Sequence, residues 1–444
     1  MKLTFAEEKD VTDIWGQPSF NANGLVYLGE VRGLPAQLRP MAAILQEDGS
    51  YWLYGQITDS DGGWHLFRAR TVDGLCYSEV ERVHSCGPTA PTEKSWLRYA
   101  TMNRRGSDGH LMFFKWSRGQ GCHAMWAFKS EDGKAWNTCT DEPLFEDHDS
   151  NTIFWDDATE QFIDYQATYK NEEKPFSDNI GGIRRRVMFL RTSPDGISWS
   201  PEDCVRGSEL IPEKYLICPD ENDPAEVEFY RFRVFRQDGR YVGMQLNYAA
   251  SPGPANTRHR TTKHAPHMSC EWWLSNDGFE WRRPFRNVFA AGEADGLIQH
   301  EPMRVDGDLL WTDGKRLFGL PNERLFCIRS LSNAAFTTRP FEVPDSPVAI
   351  NAAFGFDGDS NRGMRGQGSI LVEALGEDGE IPEGFEREAC VIHDLDTPSQ
   401  RHEYDRYGGR VLAWHGHSLS ELAGRTVRLR IYFRDARIYD IRWT

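Results

Sequence analysis

Short runs in which apolar and polar residues alternate recur along most of the chain. Tyr51–Thr58 (YWLYGQIT), Gln161–Tyr169 (QFIDYQATY) and Arg240–Tyr248 (RYVGMQLNY) are clear cases, and Gly, Asp, Asn and Pro separate such runs. A period of two is the mark of a strand with one buried face, and no stretch carries the 3.6-residue period of an amphipathic helix. The runs are organised by a repeated turn: SPDGISW (Ser193–Trp199), SEDGKAW (Ser130–Trp136) and SNDGFEW (Ser275–Trp281). A weaker copy is TVDGLCY (Thr71–Tyr77), and a degenerate one is SLSNAAF (Ser330–Phe336). Asp-Gly between two apolar runs signals a hairpin, because glycine supplies the positive φ of a tight turn. The aromatic closing each copy is then free to pack back across the hairpin. Five copies, spaced by roughly 55 to 80 residues, imply a repeat architecture.

Each turn closes a unit of four strands. The predicted first strands of the five units are Leu38–Leu45, Trp96–Asn103, Asn151–Asp157, Val227–Phe235 and Pro302–Gly307. The third unit ends in Ile197–Glu202 (ISWSPE). The fifth continues through Leu309–Gly314, Arg324–Arg329 (RLFCIR) and Ala335–Val343 (AFTTRPFEV). Residues 1–33 read as a lead-in. Five four-stranded units close most naturally into a five-bladed β-propeller over residues 1–344, which removes the exposed sheet edges. A sandwich with repeated hairpins is the alternative. Beyond Pro344 the repeat stops, and Gly368–Phe385, Arg410–Gly416 and Leu422–Thr444 read as strands of different spacing. These define a β-sandwich over residues 345–444. The expected fold class is all-β, a five-bladed β-propeller followed by a C-terminal β-sandwich.

Charge narrows the partners. The formal net charge is −16, and no basic stripe of the kind nucleic acid requires is present. No run of about 18 apolar residues occurs, so no helical membrane span is expected. The first residues carry Glu7, Glu8, Asp10 and Asp13 where a secretion signal would be apolar. The nine cysteines are scattered and never form Cys-x-x-Cys, which argues against structural zinc or a disulfide framework. A reduced, cytoplasmic protein is expected, with homo-oligomerisation left open.

The Ser-x-Asp-Gly-x-x-Trp hairpins at Ser130, Ser193 and Ser275 resemble those of glycoside hydrolases built on a five-bladed propeller, around families 32, 43, 68 and 117. Propeller followed by sandwich is the family 32 layout, and Gly368–Phe385 with Leu422–Tyr439 resembles the sandwich of family-32-like proteins. The resemblance implies a hydrolase of carbohydrate metabolism, a divergent glycosidase. The fructosidase motifs do not carry over. The first unit offers LPAQLRPMAA (Leu34–Ala43) without a carboxylate, and Asn222-Asp223-Pro224 lies before the fourth unit instead of in the first.

In a propeller the first strand of each blade lines the central channel, so residues at its head ring the channel mouth. These heads supply Arg39, Arg98, His148, Asp149, Asn151, Glu226, Glu228, Tyr230, His300 and Glu301. Glycoside hydrolysis uses two carboxyl groups, one acid and one base or nucleophile. Asp149, Glu228 and Glu301 come from three blades and are the candidate catalytic residues. Asp149 is the candidate base or nucleophile; Glu228 or Glu301 is the candidate acid. Arg39, Arg98, His148, Asn151, Tyr230, His300 and Trp96 are candidate substrate-binding residues. Arg39 and Arg98 would suit an acidic sugar or would pair with the carboxylates. His148 with Asp149 leaves room for a divalent cation in the channel; no other cofactor is expected. Arg184–Arg186 reads as a solvated strand start. Two other activities stay open: a glycoside phosphorylase of the family 130 type, with Arg39, Arg98 and His300 on phosphate, and a carbohydrate-binding propeller without chemistry.

Overall fold

The computed structural model describes residues 2–58, 64–86, 97–104, 110–117, 123–147, 150–172, 184–201, 213–249, 267–286, 300–354, 368–393 and 409–443. The fold is all-β. The described helices are short 3-10 turns such as Glu8–Asp10 and Leu419–Leu422, and none is long and apolar enough to cross a membrane.

Five separate sheets of four or five strands make the propeller. Blade one is Arg39–Leu45, Tyr51–Thr58, Trp64–Thr71 and Ser78–Cys86. Blade two is Leu97–Arg104, His110–Ser117 and His123–Ser130, edged by Asn137–Thr138 and Phe145–Asp147. Blade three is Asn151–Asp156, Gln161–Asn171, Arg184–Ser193 and Leu216–Ile217; blade four is Val227–Gln237, Arg240–Ala249, His267–Ser275 and Trp281–Arg282. Blade five is Met303–Val305, Asp308–Thr312 and Arg316–Leu320, and its fourth strand is Val26–Glu30 from near the chain start. The first strand of each blade neighbours that of the next, from blade one to four, and blade five returns to blade one. Between blades four and five, Arg304 Nη2 donates to the Arg236 carbonyl (2.7 Å). First strands therefore surround the axis, as a propeller requires.

The repeated turn has one geometry. In blade three the Gly196 N–H donates to Ser193 Oγ (2.8 Å), and the N–H groups of Ile197 and Ser198 donate to Asp195 Oδ1 (2.8 and 2.7 Å). Gly196 has φ +78°, a conformation that favours glycine. Blades one, two and four repeat the Asp-accepting bonds at Asp73, Asp132 and Asp277. The closing aromatics do more than pack across their own hairpins, because the tryptophans reach the preceding blade. Trp136 joins Met41, Ile44 and Tyr54 of blade one, Trp199 meets Phe113 of blade two, and Trp281 meets Tyr165 of blade three. The repeat thus stitches neighbouring blades together, which explains why its last residue is large and flat.

Three expectations need correction. Residues 197–201, the described part of the predicted Ile197–Glu202 strand, are not the outer strand of blade three: Ser200 makes an isolated bridge to Thr192, and Leu216–Ile217 takes the edge. Arg324–Arg329 and Ala335–Val343 are not in blade five. Phe326–Ser330 pairs with Ala436–Trp443, and Ala334–Thr338 pairs with Thr426–Arg434, both in sandwich sheets. Without Asp-Gly, the 331–333 turn carries the chain from one sheet to the other and does not close a hairpin. Residues 1–33 are likewise no mere lead-in. Lys2–Thr4, Val11–Trp15 and Ser19–Ala22 are sandwich strands, and Val26–Glu30 completes blade five.

Two compact units result: Leu25–Val305 with Leu309–Gly319, and Met1–Gly24 with Asp306–Asp308 and Leu320–Thr444. The expected boundary at 344/345 falls inside the second unit. That unit holds two six-stranded antiparallel sheets. Their shared core includes Phe5, Ile328, Phe336, Ile350, Val372, Trp414, Ile431 and Ile441.

Candidate functional site

The head of blade four's innermost strand is the best-defined part of the channel mouth. Glu228, 1% exposed, is ion-paired with Arg186 from the third strand of blade three, itself 4% exposed. The Arg186 guanidinium lies 5.3, 5.7 and 5.8 Å from the ring centroids of Tyr230, Tyr248 and Tyr169. Tyr230 and Tyr248 stack, with centroids 6.0 Å apart. Strand pairing explains the meeting: Glu228 stands opposite Tyr248, Arg186 stands opposite Tyr169, and a bulge between Phe229 and Arg231 re-aims the start of the strand. Ser150 Oγ donates to the Tyr230 carbonyl, joining this corner to the head of blade three.

Arg184–Arg186 was expected on a solvated strand start. Arg185 and Arg186 are buried instead, because both reach across to blade four. Arg185 donates through Nε to the Val227 carbonyl (2.9 Å) and through Nη2 to the Ala225 carbonyl (2.5 Å), and it is ion-paired with Glu172. Asn151 is buried, and its Nδ2 donates to Asp164 Oδ2 (2.8 Å). That bond holds Asn151 along blade three.

Blade five contributes His300 and Glu301. Glu301 is half-buried, and desolvation pushes its carboxyl up to about 7 against the pull of Arg233, with the Asp157 carboxylate adding to the rise. Arg233 stands further along its strand than Glu228, and Asp157 lies in the turn after blade three's first strand. Glu301 and Glu228 thus answer to different cations. His300 is fully buried. Its Nε2 accepts from the Thr312 N–H (3.1 Å), which leaves the proton on Nδ1 to donate to the Glu301 carbonyl (2.6 Å). Burial lowers its pKa to about 4. With both ring nitrogens on backbone, His300 does not offer itself to a sugar hydroxyl or a phosphate. It fixes the backbone that carries Glu301.

Arg39 is exposed at the head of blade one. Trp96, His148 and Asp149 lie outside the described residues, as does the side chain of Arg98. The cation option at His148 and Asp149 lies there too, and among the described residues no three His, Cys, Asp or Glu side chains gather to hold a metal. Of the expected carboxylates, Glu228 and Glu301 are thus described, each under the influence of its own cation. Asp223, in the partial Asn-Asp-Pro match, is engaged elsewhere: Arg283 and Arg286 bind it, and Arg283 also grips Glu271 (2.8 Å). Sequence reasoning missed Arg186, Arg233, Tyr169 and Tyr248. The one available signal was a charge run opening directly into the apolar VMFL of a buried strand.

No protein-family model and no curated relative matches the chain. Among solved structures, a glycosyl hydrolase from Bacteroides ovatus is 13% identical, covering 72% of this chain and 97% of that one at a TM-score of 0.43. A thermostable family-43 glycoside hydrolase is 13% identical over 65% of this chain and 91% of its own, at 0.42. The Bombyx mori GH32 β-fructofuranosidase is 10% identical over 96% and 93%, at 0.39. Likenesses this faint carry nothing about chemistry, which rests on the residues above.

Proposed function

We propose that the protein is a glycoside hydrolase acting on an oligosaccharide or glycoside in the propeller channel, with Glu301 as proton donor. Glu228, or Asp149 on the adjoining blade, serves as the base or nucleophile. The observation that carries this reading is the contrast between two first-strand carboxyls. Glu301 keeps its proton to about pH 7, while Glu228 is ion-paired with Arg186. A carboxyl that keeps its proton beside one held by a guanidinium is the pattern of an acid–base pair, and the reading requires both to reach one glycosidic bond, about 5–9.5 Å apart. Tyr169 and Tyr230 at the Glu228 corner keep part of their surface exposed for a sugar to pack on, and the exposed Arg39 would suit an acidic sugar. Action from a chain end, in exo fashion, is part of the proposal.

The test is a panel of aryl glycosides and oligosaccharides, uronic-acid-containing ones included, assayed with and without inorganic phosphate. Turnover by the wild type that falls at least about a hundredfold in both Glu301→Gln and Glu228→Gln supports the reading. Turnover that needs phosphate makes the enzyme a phosphorylase. Turnover untouched by either variant overturns the assignment of these residues, and a panel without turnover favours a binding propeller.

A further inference from the structure

Arg185 and Arg186 belong to blade three, yet both act on the head of blade four. Arg185 ties down the carbonyls of Ala225 and Val227, which fixes the backbone just ahead of Glu228. Arg186 meets the Glu228 carboxylate itself. Taking two charges out of water is costly, and replacing such a buried pair by apolar side chains is often neutral or stabilising. Stability alone therefore does not explain an ion pair at this place. A carboxyl buried without a cation would take up a proton. Among the described residues, the rings facing the Arg186 guanidinium are Tyr169 from the second strand of blade three, Tyr248 from the second strand of blade four, and Tyr230 near Glu228. Phenols carry no charge at neutral pH, and the guanidinium paired with Glu228 favours its ionised form.

We infer that Arg186 is a positioning residue for Glu228, holding that carboxylate ionised and in one orientation at the channel mouth while Arg185 holds the backbone beneath it. This deepens the glycosidase reading and rests on it for the role of Glu228. It also predicts that a run of arginines read as surface charge is part of the working site.

The test uses the full chain with Arg186→Met and Arg186→Lys. Carbon-13 NMR of labelled glutamate, assigned with Glu228→Gln, reads the pH at which Glu228 titrates. The pH profile of kcat on a responsive glycoside is read beside it. In Arg186→Met the titration should rise by about one pH unit or more, and the acid limb of kcat should move with it. At the optimum, kcat should fall about tenfold or more while KM changes less than about threefold. Arg186→Lys should restore most of the titration and part of kcat. An unmoved titration and acid limb in Arg186→Met, with only a lower melting temperature, would make the pair a structural strut and overturn the inference. If Arg186→Met does not fold, Arg186→Lys decides. A lysine keeps the charge but not the planar fork, so reduced kcat at unchanged titration supports positioning and unchanged kcat overturns it. If no glycoside is turned over, the titration still judges Arg186, and only the hydrolase reading falls.

Discussion

Trp199 of blade three sits edge-on against Phe113 of blade two, with ring centroids 5.9 Å apart and planes at 78°. It also meets Phe145 at 5.8 Å and donates its indole N–H to the Gly196 carbonyl (3.1 Å). A residue that closes one blade's turn is therefore part of the wall between two blades. Trp199→Ala should cost about 3–5 kcal/mol, the range for emptying a buried aromatic site. Trp199→Phe should cost less, since it keeps a ring in the wall. Urea unfolding of the two variants measures both.

The Asp-Gly turns should also shape acid stability. Backbone N–H donors pull Asp132 down to about 2, and the same kind of bonds outweigh burial to lower Asp73, Asp195 and Asp277. A carboxylate depressed in the folded state contributes stability above its unfolded pKa of about 3.9, and this is lost as pH falls through the folded value. The window is thus roughly pH 4 to 2. Asp132→Asn keeps an oxygen acceptor but removes the titration. Its unfolding midpoint should fall less steeply than the wild type's over that window, and an equally steep fall would count against the turn's role.

Gly243 offers a test of blade four. A Cβ there would stand 2.2 Å from the Phe232 ring and 2.9 Å from Trp281. Both rings are wedged against Tyr165 of blade three, at 5.2 and 5.9 Å, so neither can yield cheaply. Gly243→Ala should destabilise by about 1–3 kcal/mol or more through overpacking, although alanine is usually harmless in a strand. Thermal unfolding against wild type reads the difference.

Blades one to four, apart from the outer strand of blade three, were legible because their signals are local: alternation over short runs, then an Asp-Gly turn with an aromatic behind it. Blade five broke the pattern because its last strand, Val26–Glu30, pairs with Arg316–Leu320 from the other end of the propeller, and no local signal announces such a closure. Phe326–Ser330 and Ala334–Thr338 are short apolar-led runs that a blade strand could equally be, so only their partners reveal a sandwich. At the channel mouth, strand heads rich in carboxylates pointed to Glu228 and Glu301. The cations that act on them did not stand out, since Arg186 pairs with Glu228, and Arg233 pulls on Glu301, only across blades. His300 misled for the opposite reason. An imidazole beside an acid looks like a ligand, and only the backbone around it shows that both nitrogens are taken.

His300 and Glu301 are adjacent, and their titrations should oppose one another in stability. The folded state lowers His300 to about 4 from an unfolded value of about 6.5, so the unfolded chain binds more protons between those values and stability rises with pH there. The folded state raises Glu301 to about 7 from about 4.3, so the native protein binds more protons and stability falls with rising pH between those values. The windows overlap from about pH 4.3 to 6.5, where the two slopes offset each other. Glu301→Gln removes the falling slope. Its stability should rise across that overlap and exceed wild type at pH 8 by roughly 1–3 kcal/mol, the lower end applying because Glu301 keeps some contact with solvent. Urea midpoints of wild type and Glu301→Gln at pH 4.5, 5.5, 6.5 and 8 decide the point. Parallel curves for the two proteins would show that Glu301 titrates as an ordinary glutamate, and the channel would then lack the acid that the proposed chemistry needs.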